Sequence, residues 1–177
     1  GSCSGCWGVG GAGGELGPAA IAELQSDEHG KTWSGPRTVI PTGENQNLMS
    51  VSLLRLASGK LALFYLAKKN KWLECHPFLR VSRDDGASWG PPVRIGAAPG
   101  YFELNNDRAV QLKAGRLVLP MSLYRTTGTQ DAQSSLASSA LILWYSYDVE
   151  CATLPGAAPG WRFRVVGRLG RPETGAG

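Results

Sequence analysis

Ser82-Arg83-Asp84-Asp85-Gly86-Ala87-Ser88-Trp89 carries the frame Ser-x-acid-x-Gly-x-(Ser/Thr)-Trp, which also occurs 56 residues earlier as Ser26-Asp27-Glu28-His29-Gly30-Lys31-Thr32-Trp33. An unrelated pattern keeps the same spacing. Leu56-Ala57-Ser58-Gly59-Lys60-Leu61-Ala62-Leu63 aligns with Leu112-Lys113-Ala114-Gly115-Arg116-Leu117-Val118-Leu119, and Gly59 and Gly115 are again 56 apart. Two motifs sharing one period define a repeated structural unit. In the Ser-x-acid-x-Gly frame the carboxylate can accept backbone N–H bonds across a turn, glycine supplies a positive φ, and tryptophan packs the turn onto its sheet. Ser26, Glu28, Gly30, Trp33, Ser82, Asp84, Gly86 and Trp89 are therefore read as turn locks, not as catalytic groups.

Working outward, Ser50–Ala57 and Lys60–Lys68 are apolar, partly alternating runs joined by the tight Ser58-Gly59 turn, as in a β-hairpin. Phe78–Val81 and Pro92–Ile95 supply a third and a fourth strand. The next unit repeats the plan with Arg108–Lys113, Arg116–Tyr124 and Ala140–Tyr147. Its Ser146-Tyr147-Asp148 begins a third box that is not completed in register. The expected fold class is all-β, a partial β-propeller of four-stranded antiparallel blades with about two complete units and one incomplete. Three segments are expected: a glycine-rich disordered lead over 1–18, propeller blades over 19–148, and a divergent or incomplete last blade and tail over 149–177. An unpaired last blade would leave exposed sheet edges and favour self-association.

Composition agrees with a turn-rich chain. Gly 24 and Pro 11 disfavour long helices, and 42% hydrophobic against 18% charged residues suits a folded domain. A net charge of +4, scattered along the chain, argues against nucleic acid as a partner, and the Arg162, Arg164, Arg168 and Arg171 series reads as the solvated face of a last strand and tail. The longest apolar runs are far shorter than the roughly 20 residues a membrane-spanning helix needs. No secretory signal is visible at the start of the chain. Cys3 and Cys6 form one Cys-x-x-Cys pair with no second pair at zinc-finger spacing, so no metal is expected.

The two boxes resemble the Asp-box, or BNR, repeat of the sialidase (neuraminidase) superfamily of β-propellers. Asn105-Asn106-Asp107-Arg108 with Gln111-Leu112 and Gly115-Arg116-Leu117, and Met49-Ser50-Val51-Ser52-Leu53, also resemble segments of bacterial-type members. The similarity runs from about Ala19 to Tyr147. Sialidase propellers have six blades, so a chain with room for about three looks like a fragment. The early Phe/Tyr-Arg-Ile-Pro arginine of sialoside hydrolases has no counterpart between Gly1 and Gln25.

The resemblance implies an exo-α-sialidase-like glycoside hydrolase acting on terminal sialic acids or related anionic sugars, without a metal or organic cofactor. Its alternative is a non-catalytic propeller segment that binds glycans or proteins. Loops opposite the boxes, 42–47, 68–74, 97–107 and 124–138, should hold the site. There Arg108 and Arg125 offer guanidinium forks for a carboxylate, with Asn105, Asn106 and Arg80 as further substrate contacts. Sialidases use a tyrosine nucleophile activated by glutamate, with an aspartic acid protonating the leaving oxygen. Tyr101 or Tyr124, Glu103 or Glu74, and Asp107 are the matching types. Lys68-Lys69-Asn70-Lys71 reads as a soluble hairpin tip that, with Trp72, could meet an anionic glycan.

Overall fold

The computed structural model describes residues 3–10, 17–96, 98–124, 139–146 and 161–169, all of it strands and connecting turns. Twelve strands follow in order: β1 Cys3–Gly10, β2 Ala19–Ser26, β3 Arg37–Ile40, β4 Asn47–Arg55, β5 Leu61–Lys68, β6 Cys75–Ser82, β7 Val93–Arg94, β8 Tyr101–Glu103, β9 Val110–Gln111, β10 Leu117–Tyr124, β11 Ser139–Ser146 and β12 Trp161–Leu169. They make three antiparallel blades: β1-β2-β3, β4-β5-β6-β7, and β8/β9-β10-β11-β12. The repeat unit of the sequence is one blade.

Leu61-Ala-Leu-Phe-Tyr-Leu-Ala-Lys68 is buried at all eight positions, because β5 lies inside its blade with a neighbouring blade on each face. Alternation then divides its side chains between two cores. Ala62, Phe64 and Leu66 join Leu79, Phe102, Leu117, Leu119, Met121 and Trp144. Leu63, Tyr65 and Ala67 join Ile21, Ile40 and Leu48 toward the first blade. Each core is thus an interface between blades.

The two box turns share their backbone geometry. His29 and Gly30 have φ of 56° and 83°, and Asp85 and Gly86 have φ of 55° and 92°. Ser26 Oγ accepts from the N–H of Gly30 at 2.8 Å and of Glu28 at 3.3 Å, and Ser82 Oγ accepts from Gly86 at 2.8 Å and Asp84 at 3.3 Å. Their surroundings differ. Glu23 of β2, itself buried, pairs with Arg37 of β3 at 2.9 Å, and Arg37 Nη2 donates to the Gly86 carbonyl at 2.9 Å. The first blade therefore covers the second blade's box. Trp89 packs on the adjoining core, whereas Trp33, expected to pack in the same way, is 45% exposed and donates to the Gly30 carbonyl at 3.1 Å.

At the start of the described residues, Cys3–Gly10 forms β1, paired with β2 over eight positions from Cys3↔Ser26 to Gly10↔Ala19. Backbone ladders need no particular side chains, so a glycine-rich segment can still satisfy a strand edge. Among the described residues the first blade has three strands, and β12 runs along the outer side of the third, pairing with β11 from Ser146↔Trp161 to Ser139↔Leu169. Arg162 and Arg164 on β12 are exposed. No helix among the described residues is long and apolar enough to cross a membrane.

Candidate functional site

Strand register builds one row of residues across two blades. Asn47 pairs with Lys68, Lys68 with Cys75, Cys75 with Tyr101 through the parallel β6–β8 bridge, and Tyr101 with Tyr124. The row lies at the end opposite the box turns, since Arg55↔Leu61 and Leu61↔Ser82 mark the other end. The approach to Tyr101 is pinned: Arg94 Nη2 donates to His76 Nδ1 at 3.0 Å and to the Ala98 carbonyl at 3.1 Å.

Three of the expected catalytic residues come together here. Tyr124 donates its phenol proton to Glu103 Oε2 at 2.7 Å, and the Tyr101 ring meets the Tyr124 ring edge-on at 6.4 Å. Partial burial, then the hydrogen bond to the Glu103 carboxylate, push the Tyr124 hydroxyl up to about 12. The phenol stays protonated at neutral pH, and its proton already points at a base. Glu74, the alternative base, lies in the β5–β6 loop, where its N–H donates to Asn70 Oδ1.

Asn105, Asn106, Asp107 and Arg108 are all exposed, two to five residues beyond Glu103 in the turn between β8 and β9 of the third blade. Asp107 has a φ of 57°, as does Ser50 on the innermost strand of the second blade. These two bulged segments meet: the Asp107 N–H donates to the Val51 carbonyl at 3.2 Å, and the Arg108 N–H to the buried Ser52 Oγ at 3.1 Å. Ser52 and Arg108 are 56 residues apart, so corresponding positions of successive blades hold each other. Left-handed backbone at non-glycine positions costs energy and marks a segment held by its surroundings.

Arg80 is not brought to this cluster. It donates to the Gly90 carbonyl at 3.0 Å and lies within 3.5 Å of the Tyr65 hydroxyl, on the blade flank near the box, because it stands five residues along β6 from Cys75. Arg125 lies outside the described residues, as does the unfinished box at Tyr147 and Asp148. Among the described residues no group of His, Cys, Asp and Glu is arranged to hold a metal ion.

One residue was misread from sequence. Lys68 is no hairpin tip but the last residue of β5, only 2% exposed. Its ammonium lies 5.5 Å from the centre of the Trp72 ring and 5.6 Å from that of Tyr101. The repeat held the signal, since Lys68 and Tyr124 are 56 apart, as are Asn47 and Glu103. Cys75, buried beside them, has its thiol pushed up to about 12, chiefly by burial, with Lys68 and Glu103 acting on it in opposite senses.

Comparison with known proteins identifies the fold and the family. The family model for a BNR repeat-like domain matches residues 10–154. Among solved structures, the Hadza microbial sialidase Hz136 superposes with a TM-score of 0.63 at 17% identity, over 83% of this chain and 33% of its own. A mutant of Trypanosoma rangeli sialidase displaying trans-sialidase activity gives 0.63 at 17%, over 95% and 29%. The Fusarium graminearum GH93 α-L-arabinofuranosidase in complex with arabinobiose gives 0.53 at 13%, over 83% and 42%. No curated protein matches the chain in sequence. The chain spans about a third of the length of the sialidases it resembles. A match over most of the chain, with a partial propeller of sialidase type beneath it, shows that the chain belongs to the BNR repeat-like domain family.

Proposed function

We propose that this chain carries part of an exo-α-sialidase-like glycoside hydrolase site, acting on terminal sialic acids or related anionic sugars. The observation that carries the reading is the 2.7 Å hydrogen bond from the Tyr124 hydroxyl to Glu103. A carboxylate-bearing sugar repels an anionic nucleophile, whereas a neutral phenol can approach its anomeric carbon. As the Tyr124 oxygen forms its bond to that carbon, the phenol proton passes to Glu103, and the glycosidic bond breaks with its electron pair on the leaving oxygen. Asp107 is assigned to protonate that oxygen, and Arg108 to grip the sugar carboxylate. Water, giving one proton to the Asp107 carboxylate, then attacks the anomeric carbon and cleaves the glycosyl–tyrosine bond, Glu103 returning its proton to the phenol oxygen. Because the Tyr124 hydroxyl is held up at about 12, attack by its oxygen calls for a base, and Glu103 at 2.7 Å is placed to take the proton.

The test is release of a fluorophore from a sialic-acid glycoside by the full chain, beside Tyr124→Phe, Glu103→Gln and Arg108→Ala. Turnover that falls at least a hundredfold in both Tyr124→Phe and Glu103→Gln supports the assignment. Turnover unchanged in either variant overturns it. A second reading, a non-catalytic glycan-binding segment, is favoured by the exposed Glu103 carboxylate and the Tyr124 oxygen, which can accept from sugar hydroxyls. It requires saturable glycan binding by a wild-type chain that shows no turnover.

A further inference from the structure

The β5–β6 loop is built more firmly than a solvated hairpin tip needs. The Lys69 N–H donates to the Glu74 carbonyl at 2.9 Å, and inside that closure Asn70 Oδ1 accepts from the N–H groups of Leu73 at 2.8 Å and Glu74 at 2.9 Å. The loop holds Trp72 half-buried, with the buried Lys68 ammonium 5.5 Å and the Lys71 ammonium 5.6 Å from its ring centre. Lys68 also lies 5.6 Å from the Tyr101 ring, which abuts Tyr124. Trp72, Lys68, Tyr101, Tyr124 and Glu103 therefore form one continuous wall from the loop to the Tyr124–Glu103 hydrogen bond.

An indole presents a flat apolar surface suited to the C–H face of a pyranose, and the exposed Lys71, whose ammonium lies over that ring, suits a carboxylate. Burying Lys68 is costly unless neighbouring groups stabilise its charge, and two aromatic faces do so while fixing both rings. From this we infer that Trp72 and Lys71 form a second saccharide subsite beside Glu103 and Tyr124. It takes an anionic oligosaccharide, with a sugar ring on the Trp72 indole and a carboxylate on the Lys71 ammonium, while Lys68 holds the indole in place. The subsite rests on the reading of Glu103 and Tyr124 as a glycan site.

Isothermal titration of the full chain with disialyl-lactose, which carries two carboxylates, and with sialyl-lactose, which carries one, tests it. Trp72→Ala is expected to weaken disialyl-lactose binding about tenfold, and Trp72→Tyr, which keeps an aromatic face, to restore most of the loss. Lys71→Met should weaken it about threefold and flatten its salt dependence, and sialyl-lactose should bind the wild type about threefold more weakly. Circular dichroism matching wild type confirms that each variant is folded. Equal affinity for Trp72→Ala and wild type overturns the subsite, as does equal affinity for sialyl-lactose and disialyl-lactose, or no binding by the wild type. If Glu103→Gln and Tyr124→Phe abolish hydrolysis while Trp72→Ala changes neither Kd nor KM, the catalytic reading stands and the subsite falls. If Trp72→Ala weakens binding to a wild-type chain that hydrolyses nothing, the subsite stands and the hydrolase falls.

Discussion

Replacing Ser82 by alanine removes one oxygen and separates two box turns of identical sequence logic. Ser82 is 1% exposed, and its hydroxyl accepts from the buried Gly86 N–H at 2.8 Å while donating to Asp84 Oδ1 at 2.8 Å. Water has no route to the Gly86 N–H, because Arg37 and Glu23 of the preceding blade lie over the turn. An orphaned buried donor costs about 1–3 kcal/mol. Asp84 is exposed and regains water, so it adds little, and the expected loss is about 2 kcal/mol. Ser26→Ala breaks a bond of the same 2.8 Å length, but Gly30 is exposed and its N–H is rehydrated, so about 0.5–1 kcal/mol is expected. The assay is equilibrium urea unfolding followed by circular dichroism. With a slope of about 1.5 kcal/mol per M, Ser82→Ala should lower the midpoint by about 1 M and Ser26→Ala by about half that or less. The two residues sit in different blades, so the double variant should show nearly the sum. Equal shifts for the two single variants would refute the reasoning, because burial by a neighbouring blade is what distinguishes them.

Two further outcomes follow from the same geometry. Gly96 has a φ of 75°, and a Cβ there would stand 2.0 Å from Trp144 Cη2, so Gly96→Ala should destabilise by about 2–4 kcal/mol in urea unfolding. Trp144→Phe in that background should recover part of the loss by shortening the ring. Asp84 is held down at about 2, first by the Ser88 hydroxyl, then by the Ser88 N–H and the Ser82 hydroxyl, below an unfolded value of about 3.9. The folded state therefore binds this proton less readily than the unfolded state. The stability this supplies is present above about pH 4 and is lost as pH falls toward 2, and Asp84→Asn should flatten that part of a stability-against-pH profile.

The period of 56, the boxes and the hairpin turns determined the blade plan without coordinates, because each is a local device: a serine capping its own turn, a glycine at positive φ, and strands close in sequence pairing in register. The side opposite the boxes, and the residue types gathered there, were also legible, since antiparallel connections alternate between the two ends of a blade. The pairings that bring those side chains together were not. The meeting of Tyr124 with Glu103 depends on the antiparallel register of β8 and β10, and the meeting of Lys68 with Tyr101 on the single parallel bridge between β6 and β8. A one-residue slip in either ladder would turn those side chains to opposite faces. The same holds for Lys68, whose charge suggests solvent until the neighbouring rings are placed over it, and for Arg80, whose partners lie on the blade flank. Local sequence specified the blades; register within the third blade and the packing of the second blade against it decided which side chains share a site.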